Sequence, residues 1–311
     1  MGGGLVMEES KTTSLRFLSV TILNILITFF ELLGGIVSGS LSLISDAFHN
    51  FGDTFSIVLS YLANRLGNKK ATPKNSYGYR RAEIISALFN SILLILISLF
   101  LLIEGISRIQ HPENVKSGLM FWVAVISFFA NLIAALLLHT GAHNNLNIKA
   151  TYLHLLSDSL ASIGVIIGSI LIYFFNLTWI DPSITILVSL YIAYESLPII
   201  KQTFSILMEG SPDINIEKVR EDLLCIPEIK DVHHFHSWSI NENELIASVH
   251  VNLPNLSLSE IEKVYSKIEQ ILKKKYNISH ITIQAECTRG LKKAMCLSAE
   301  DENDIDLKLN K

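Results

Sequence analysis

A bundle of six transmembrane helices followed by a small α+β domain is the fold class this 311-residue chain predicts, on three observations. Half of the residues are hydrophobic (50%) and only 17% are charged, against about 25% charged in an average soluble domain. Six apolar stretches, near 15–37, 41–64, 83–106, 118–139, 149–175 and 182–200, approach the length a helix needs to cross a bilayer. From about Glu209 onward these runs give way to mixed polar and alternating patterns. The organisation read from this is an N-terminal segment (1–14), a transmembrane domain (15–208), a soluble domain (209–290) and an acidic tail (291–311) expected to be disordered.

The first ten residues are Gly-rich and acidic, with no apolar core of the kind a cleavable signal carries. Met-Gly-Gly-Gly-Leu-Val lacks the Ser or Thr of a myristoylation signal, and Met7 is an alternative start. In the first span, Gly34 and Gly35 suit close helix packing. Glu31 either lines an ion path or pairs locally. The loop after the second span holds Arg65, Lys69, Lys70, Lys74, Arg80 and Arg81, whereas the turns at Ser38–Ser40 and Asn176–Thr178 hold no basic residue. Basic loops lie on the cytoplasmic side, so both termini are expected inside, with a bacterial inner membrane as the expected location. At the start of the third span, Arg80, Arg81 and Glu83 read as snorkelling edge residues. Asn131 reads as an interhelical hydrogen bond, and His139 and His143 as part of a short solvated loop. Asp181-Pro182 reads as an N-cap followed by proline at the first helical position. Glu195 has no partner that the sequence names.

In the soluble part, 214–226 reads as an amphipathic helix and 231–240 and 245–253 as strands joined by a turn at Asn241–Glu244. Ser257-Leu-Ser-Glu260 reads as a capping box opening a helix to about Tyr276, and 281–286 as a third strand. That αββαβ order fits a small α+β sandwich.

The chemistry centres on two short stretches in apolar helices, Asp46-Ala-Phe-His49-Asn-Phe-Gly-Asp53 and His154-Leu-Leu-Ser-Asp158. Four-residue spacing on a helix puts His49 with Asp53, and His154 with Asp158, on one face each. Two imidazoles and two carboxylates are the donor set a tetrahedral Zn²⁺ or similar divalent cation takes. Ionisable groups at membrane depth are expensive and mark ion pathways; one structural His–Asp pair is unremarkable, but two matched pairs without a Lys or Arg are not. Asp46, one turn before His49, reads as an acceptor orienting an imidazole or as a gate on the ion path. Metal needs neutral imidazole and ionised carboxylate, so it competes with protons at the same atoms, which makes such a site an exchanger.

These motifs give the sequence a family resemblance from about residue 15 to 290. Ser45-Asp-Ala-Phe-His49 with Asp53, Gly78-Tyr-Arg-Arg-Ala-Glu83, Tyr152-Leu-His154 with Asp158, Val232-His-His-Phe-His-Ser-Trp-Ser239 and Thr282-Ile-Gln-Ala-Glu286 resemble the cation diffusion facilitators of the zinc-exporting type. The resemblance implies a homodimer, a metallochaperone-like cytoplasmic domain of ferredoxin-like build, and zinc/proton antiport through His49, Asp53, His154 and Asp158. It implies zinc over cadmium as the main substrate, since His holds the first ligand position. It also matches His233, His250 and Glu286 to positions that bind regulatory zinc, while strand alternation leaves open whether His236 faces with them. Two departures stand out: Arg80 occupies a place where some relatives carry a metal-binding His, and the 65–81 loop has no His at all.

The function expected is therefore efflux of divalent cations, chiefly Zn²⁺, in exchange for protons, by a transporter rather than an enzyme. No organic cofactor is expected. A metal-sensing receptor without transport and an intramembrane metal-dependent hydrolase are the competing classes; no HExxH is present to support a zinc protease. The net charge of -4 argues against nucleic acid as a partner. Cys225, Cys287 and Cys296 form no CxxC pair and fit a reducing compartment.

Overall fold

Long apolar runs satisfy their own backbone only as helices in lipid, and the computed structural model shows helices throughout the first two thirds of the chain. It describes residues 2–142, 146–291 and 295, without the side chains of 2–19, 140–142, 146–148 and 150. His143 and the acidic residues 300–304 lie outside the described residues. The helices are α1 (Gly2–Ser38), α2 (Leu41–Gly67), α3 (Ala82–Gln110), α4 (Ser117–Ala142), α5 (Leu146–Phe175) and α6 (Ile180–Leu207). Among the described residues, five stretches are long and apolar enough to cross a membrane: Val20–Ser38, Ala82–Gln110, Ser117–His139, Thr151–Phe175 and Ile180–Leu207. The remaining helix, α2, is not among them; it carries Asp46, His49, Asn50 and Asp53. Phe30, Ile36, Phe100, Ile103, Leu160, Phe174 and Leu187 are exposed on these helices, which suits lipid and not water. The chain is an integral membrane protein.

The helical unit covers Met1–Ala63 and Ser86–Ile200. A Cβ on Gly34 would lie 2.6 Å from a methyl of Val123 on α4, so this glycine is needed for the approach of α1 to α4. Asp181 does not cap its own helix. It stands in the first turn of α6, fully buried, and its carboxylate accepts from the N–H groups of Leu41 (2.7 Å) and Ser42 (3.2 Å) and from the hydroxyls of Ser40 and Ser42 (both 2.6 Å). It thus caps the N-terminus of α2 across the bundle. Asn131 donates to Ser127 one turn away on α4 (3.5 Å), not to another helix. His139 belongs to α4 and packs edge-on against Tyr152 at 5.6 Å. Glu195 accepts from Tyr191 (2.5 Å).

The second unit comprises Asn64–Ile85 and the described part of Lys201–Lys311. Its elements are α7 (Ile216–Leu224), β1 (Asp231–Asn241), β2 (Glu244–Asn252), α8 (Leu258–Tyr276) and β3 (Ile278–Glu286), the αββαβ order read from the sequence. Asn215 caps α7 through Lys218 N–H (3.0 Å), and the carboxylate of Glu260 accepts from Ser257 N–H (2.8 Å) at the start of α8. β2 is the central strand, antiparallel to β1 and parallel to β3. Val219 and Leu223 of α7 and Val264, Ile268 and Leu272 of α8 pack with Val232, Phe235, Ala247, Val249 and Val251 of the sheet. The other sheet face carries the polar alternates. Arg80, Arg81 and Glu83 do not simply snorkel: Arg80 pairs with Glu244, Arg81 with Glu209 (3.9 Å), and Glu83 accepts from Asn64 (3.0 Å). Arg80 is therefore engaged in an ion pair with the second strand of the sheet.

Candidate metal centres

The helical period gives α2 two polar stripes. Three residues turn a helix by 300°, so the Asp46/Asn50 stripe and the His49/Asp53 stripe point about 60° apart. The second stripe meets α5. His154 Nε2 lies 3.1 Å from Asp53 Oδ2 and 3.6 Å from Asp158 Oδ2, and His49 Nε2 lies 3.7 Å from Asp53 Oδ2. The imidazoles of His49 and His154 approach edge to face at 5.8 Å. Ligand atoms of His49, Asp53 and His154 all fall within 4.8 Å of one another, and Asp158 adjoins the trio through His154.

These groups are close but not satisfied. Nδ1 of His49, Oδ2 of Asp53, Nε2 of His154 and Oδ2 of Asp158 are all buried without a hydrogen-bond partner. Buried polar groups normally find one, and leaving a single one unpaired costs about 1–3 kcal/mol. Asp53, His154 and Asp158 turn these atoms toward one another, and His49 turns its other nitrogen, Nε2, to Asp53, so two helices bring together a donor set suited to a cation.

The first stripe serves something else. Asp46 and Glu31 of α1 are both buried. Glu31 accepts from Asn50 (2.9 Å) and from Ser127 of α4. Asp46 therefore does not orient His49 through Nδ1, which has no partner; of the two roles read for Asp46, the imidazole-orienting one is not what this geometry provides. Glu31, left open by the sequence, pairs locally.

In the second unit, β1 and β2 set His233 opposite His250, and β2 and β3 set Asn252 opposite Glu286. His250 and Glu286, two positions apart along this ladder, point to the same face. Glu286 bridges the two imidazoles, Oε2 at 3.3 Å from His233 Nε2 and Oε1 at 3.2 Å from His250 Nδ1. Nδ1 of His233 and Oε2 of Glu286 are buried without hydrogen-bond partners, so the residues present fit a divalent cation.

The question of which histidines face together is answered by a bulge. β1 spends three steps from His233 to His236 where β2 spends two, from His250 to Ser248, and His234 takes up the extra residue at φ +52°. Phe235 is thereby returned to the core, and His234 stacks on His250 at 4.5 Å with planes 10° apart. His236 stands one ring further out, against His234 at 4.7 Å, and is not part of the three-residue cluster. His234 was not singled out by sequence; simple alternation gives it no face, and only the irregular ladder does. Gly290 at φ +73° lies against the His233 imidazole, where a Cβ would collide. Burial and the neighbouring His234 hold the His250 pKa below its ordinary value. The imidazole thus stays neutral to lower pH than a free histidine, the form a metal requires.

Comparison with known proteins agrees with this picture. Residues 17–208 match the family model described as cation efflux transmembrane domain, and residues 211–287 match that described as cation efflux protein, cytoplasmic domain. The chain is 35% identical over 257 residues to the metal cation efflux system protein CzcD of Cupriavidus metallidurans, covering 82% of this chain and 81% of that one. It is 37% identical over 260 residues to a cadmium, cobalt and zinc/H(+)-K(+) antiporter of Bacillus subtilis, covering 82% and 83%. To the zinc transporter ZitB of Escherichia coli it is 33% identical over 259 residues, covering 82% of each. Matched in both its parts, the chain belongs to the cation efflux, or cation diffusion facilitator, family of metal transporters.

Proposed function

We propose that this protein exports divalent cations, chiefly Zn²⁺, from the cytoplasm in exchange for protons, by secondary active transport through His49, Asp53, His154 and Asp158. The observation that carries the reading is the convergence of two imidazoles and two carboxylates from two helices of a membrane protein. Neutral imidazole and ionised carboxylate bind the metal; protonation of the same atoms on the acidic side releases it. The names of the relatives, which include zinc transporters and a proton antiporter, support the substrate and the counter-ion. In this reading α2 is the sixth span, held in the bundle by Asp181 despite its polar stripes. Residues 15–208 form the transport domain, 209–290 a cytoplasmic domain through which two copies form a homodimer, and both termini lie inside a bacterial inner membrane. His233, His250 and Glu286 would hold a regulatory Zn²⁺.

The test is zinc uptake into proteoliposomes under an imposed pH gradient, with Asp158→Ala beside the wild type. Gradient-driven uptake that Asp158→Ala abolishes is the expected result. Zinc binding without flux would instead fit a sensor, and flux indifferent to the gradient would remove the exchange mechanism.

The soluble centre makes its own prediction. In full-length protein whose transport site is silenced by Asp53→Ala, Glu286→Gln should weaken the remaining zinc affinity by more than the 10- to 100-fold typical of losing a mere supporting partner. Affinity in the parent should rise with pH, since His233 and His250 must shed protons to bind. Competition titrations with a zinc indicator between about pH 5.5 and 7.5 read both effects.

A further inference from the structure

The loop between α2 and α3, residues 68–81, is built onto one face of the sheet. Ile240 of β1 and Ile246 of β2 stand outside the core that α7 and α8 cover, yet they are only 6% and 3% exposed. Arg80 pairs with Glu244 at the start of β2, and Tyr77 meets His280 of β3 edge to face at 6.1 Å. The loop holds its own shape: Thr72 and Asn75 exchange main-chain hydrogen bonds (3.1 and 3.0 Å), and Gly78, at φ +72°, donates to Asn75 (2.9 Å). Between loop and sheet lies a cavity of about 640 Å³, lined by Lys69, Lys70 and Ser76 on one side and Ile246, Ser279 and His280 on the other. That is the size of a small-molecule site. Its charges are unequally matched. Of the two carboxylates in the wall, Glu244 is held by Arg80 and Glu83 accepts from Asn64 (3.0 Å). Lys69 and Lys70 pair with no carboxylate among the described residues, and the N–H groups of Lys70, Ala71, Ser76 and Tyr77 serve no acceptor there. Spare ammonium and amide donors around a cavity whose carboxylates are engaged make a site for an anion. It is separate from the metal centre: His280 and Glu286 are six residues apart on β3, about 20 Å along the strand.

We propose that this cavity binds a phosphate-bearing anion, with Lys69 and Lys70 as its cations, and that the bound anion ties the loop to the sheet. A phosphate group fits better than a single carboxylate, because its several acceptor oxygens can take the ammonium groups and the main-chain donors together. Two sources carry that group. Arg80 stands two residues before Ala82, where the apolar stretch Ala82–Gln110 begins. That brings the cavity within reach of a phospholipid headgroup, and clusters of Lys and Arg just outside a span attract anionic lipid. A free phosphate compound in solution carries the same chemistry.

The experiment is calorimetric titration of the purified full-length protein, in an uncharged detergent, with dihexanoyl phosphatidylglycerol, dihexanoyl phosphatidylcholine and inorganic phosphate. It compares the wild type with the double variant Lys69→Gln/Lys70→Gln and with Arg65→Gln/Lys74→Gln, which removes the same charge from the same segment but outside the cavity lining. Unchanged zinc titrations establish that both variants are folded. The expected result is saturable binding of phosphatidylglycerol or inorganic phosphate to the wild type, weakened about tenfold or more in Lys69→Gln/Lys70→Gln and less than about threefold in the control. Binding of phosphatidylglycerol alone identifies a lipid headgroup as the occupant; binding of inorganic phosphate, with or without the lipid, identifies a free phosphate compound. Equal loss in the two double variants overturns the site, because basic charge alone would then account for the binding. So does the absence of binding by either anion, or phosphatidylcholine binding as tightly as phosphatidylglycerol.

Discussion

Asp53→Ala should abolish zinc transport while leaving the folded protein about as stable as before. Asp53 Oδ2 is the shared point of the site, 3.1 Å from His154 and 3.7 Å from His49, and it lacks a hydrogen-bond partner. As a metal ligand its removal leaves a dication with an incomplete shell. Truncating one member of a buried charged pair costs about 2–5 kcal/mol, or roughly 30-fold to a few thousand-fold in zinc affinity. For the unloaded protein the effect is small, because the Asp53 side chain is 31% exposed and loses only its contacts with the two imidazoles. Proteoliposome flux and thermal unfolding on the same preparation separate the two effects. A variant that keeps flux within twofold, or loses flux only together with its fold, would show that Asp53 is structural.

Asp181→Ala should be the most damaging substitution far from any ligand. Its carboxylate serves four donors at the start of α2. The two hydroxyls have each other to fall back on, Ser40 and Ser42 being 3.1 Å apart. The N–H groups of Leu41 and Ser42 have no such recourse. Each buried donor left unpaired costs about 1–3 kcal/mol, and the helix dipole loses its anion as well. A loss of some 4 kcal/mol corresponds to a fall in Tm on the order of 10 °C for a unit of this size. His49 and Asp53 ride on the same helix, so flux should fall with it. Asp181→Asn, which retains one carbonyl acceptor, should be intermediate. If Asp181→Ala unfolds at the wild-type temperature, the cap does not hold α2.

What the sequence made legible follows from what is periodic and local. The two His-x-x-x-Asp faces could be read because helical spacing alone brings i and i+4 together, and the structure sets them against each other. The αββαβ order was legible from alternation, turns and the Glu260 cap. Asp181 was misassigned because Asp-Pro has a sufficient local explanation, whereas its real partners lie about 140 residues earlier. Asp46 was read as orienting an imidazole or gating the ion path; i and i+3 share a face only loosely, and the 60° between the stripes turns it away from His49, whose Nδ1 has no partner. The bulge at His234 was out of reach, since one extra residue in a ladder leaves no mark in alternation. The polar composition of α2, which sets it apart from the five apolar spans, is what brings both stripes into the bundle.

Among the described residues no Lys or Arg pairs with Asp53 or Asp158, which has a consequence for voltage. These carboxylates are balanced by a bound metal or by protons on the adjoining imidazoles, so the charge carried per cycle is set by occupancy. Exchanging one Zn²⁺ for one proton would carry one net charge outward, against roughly 2.3 kcal/mol for every 100 mV of an inside-negative membrane. A second proton taken up by the two imidazoles and two carboxylates would cancel that charge. A cell whose membrane is strongly polarised would then export zinc as readily as one whose membrane is not.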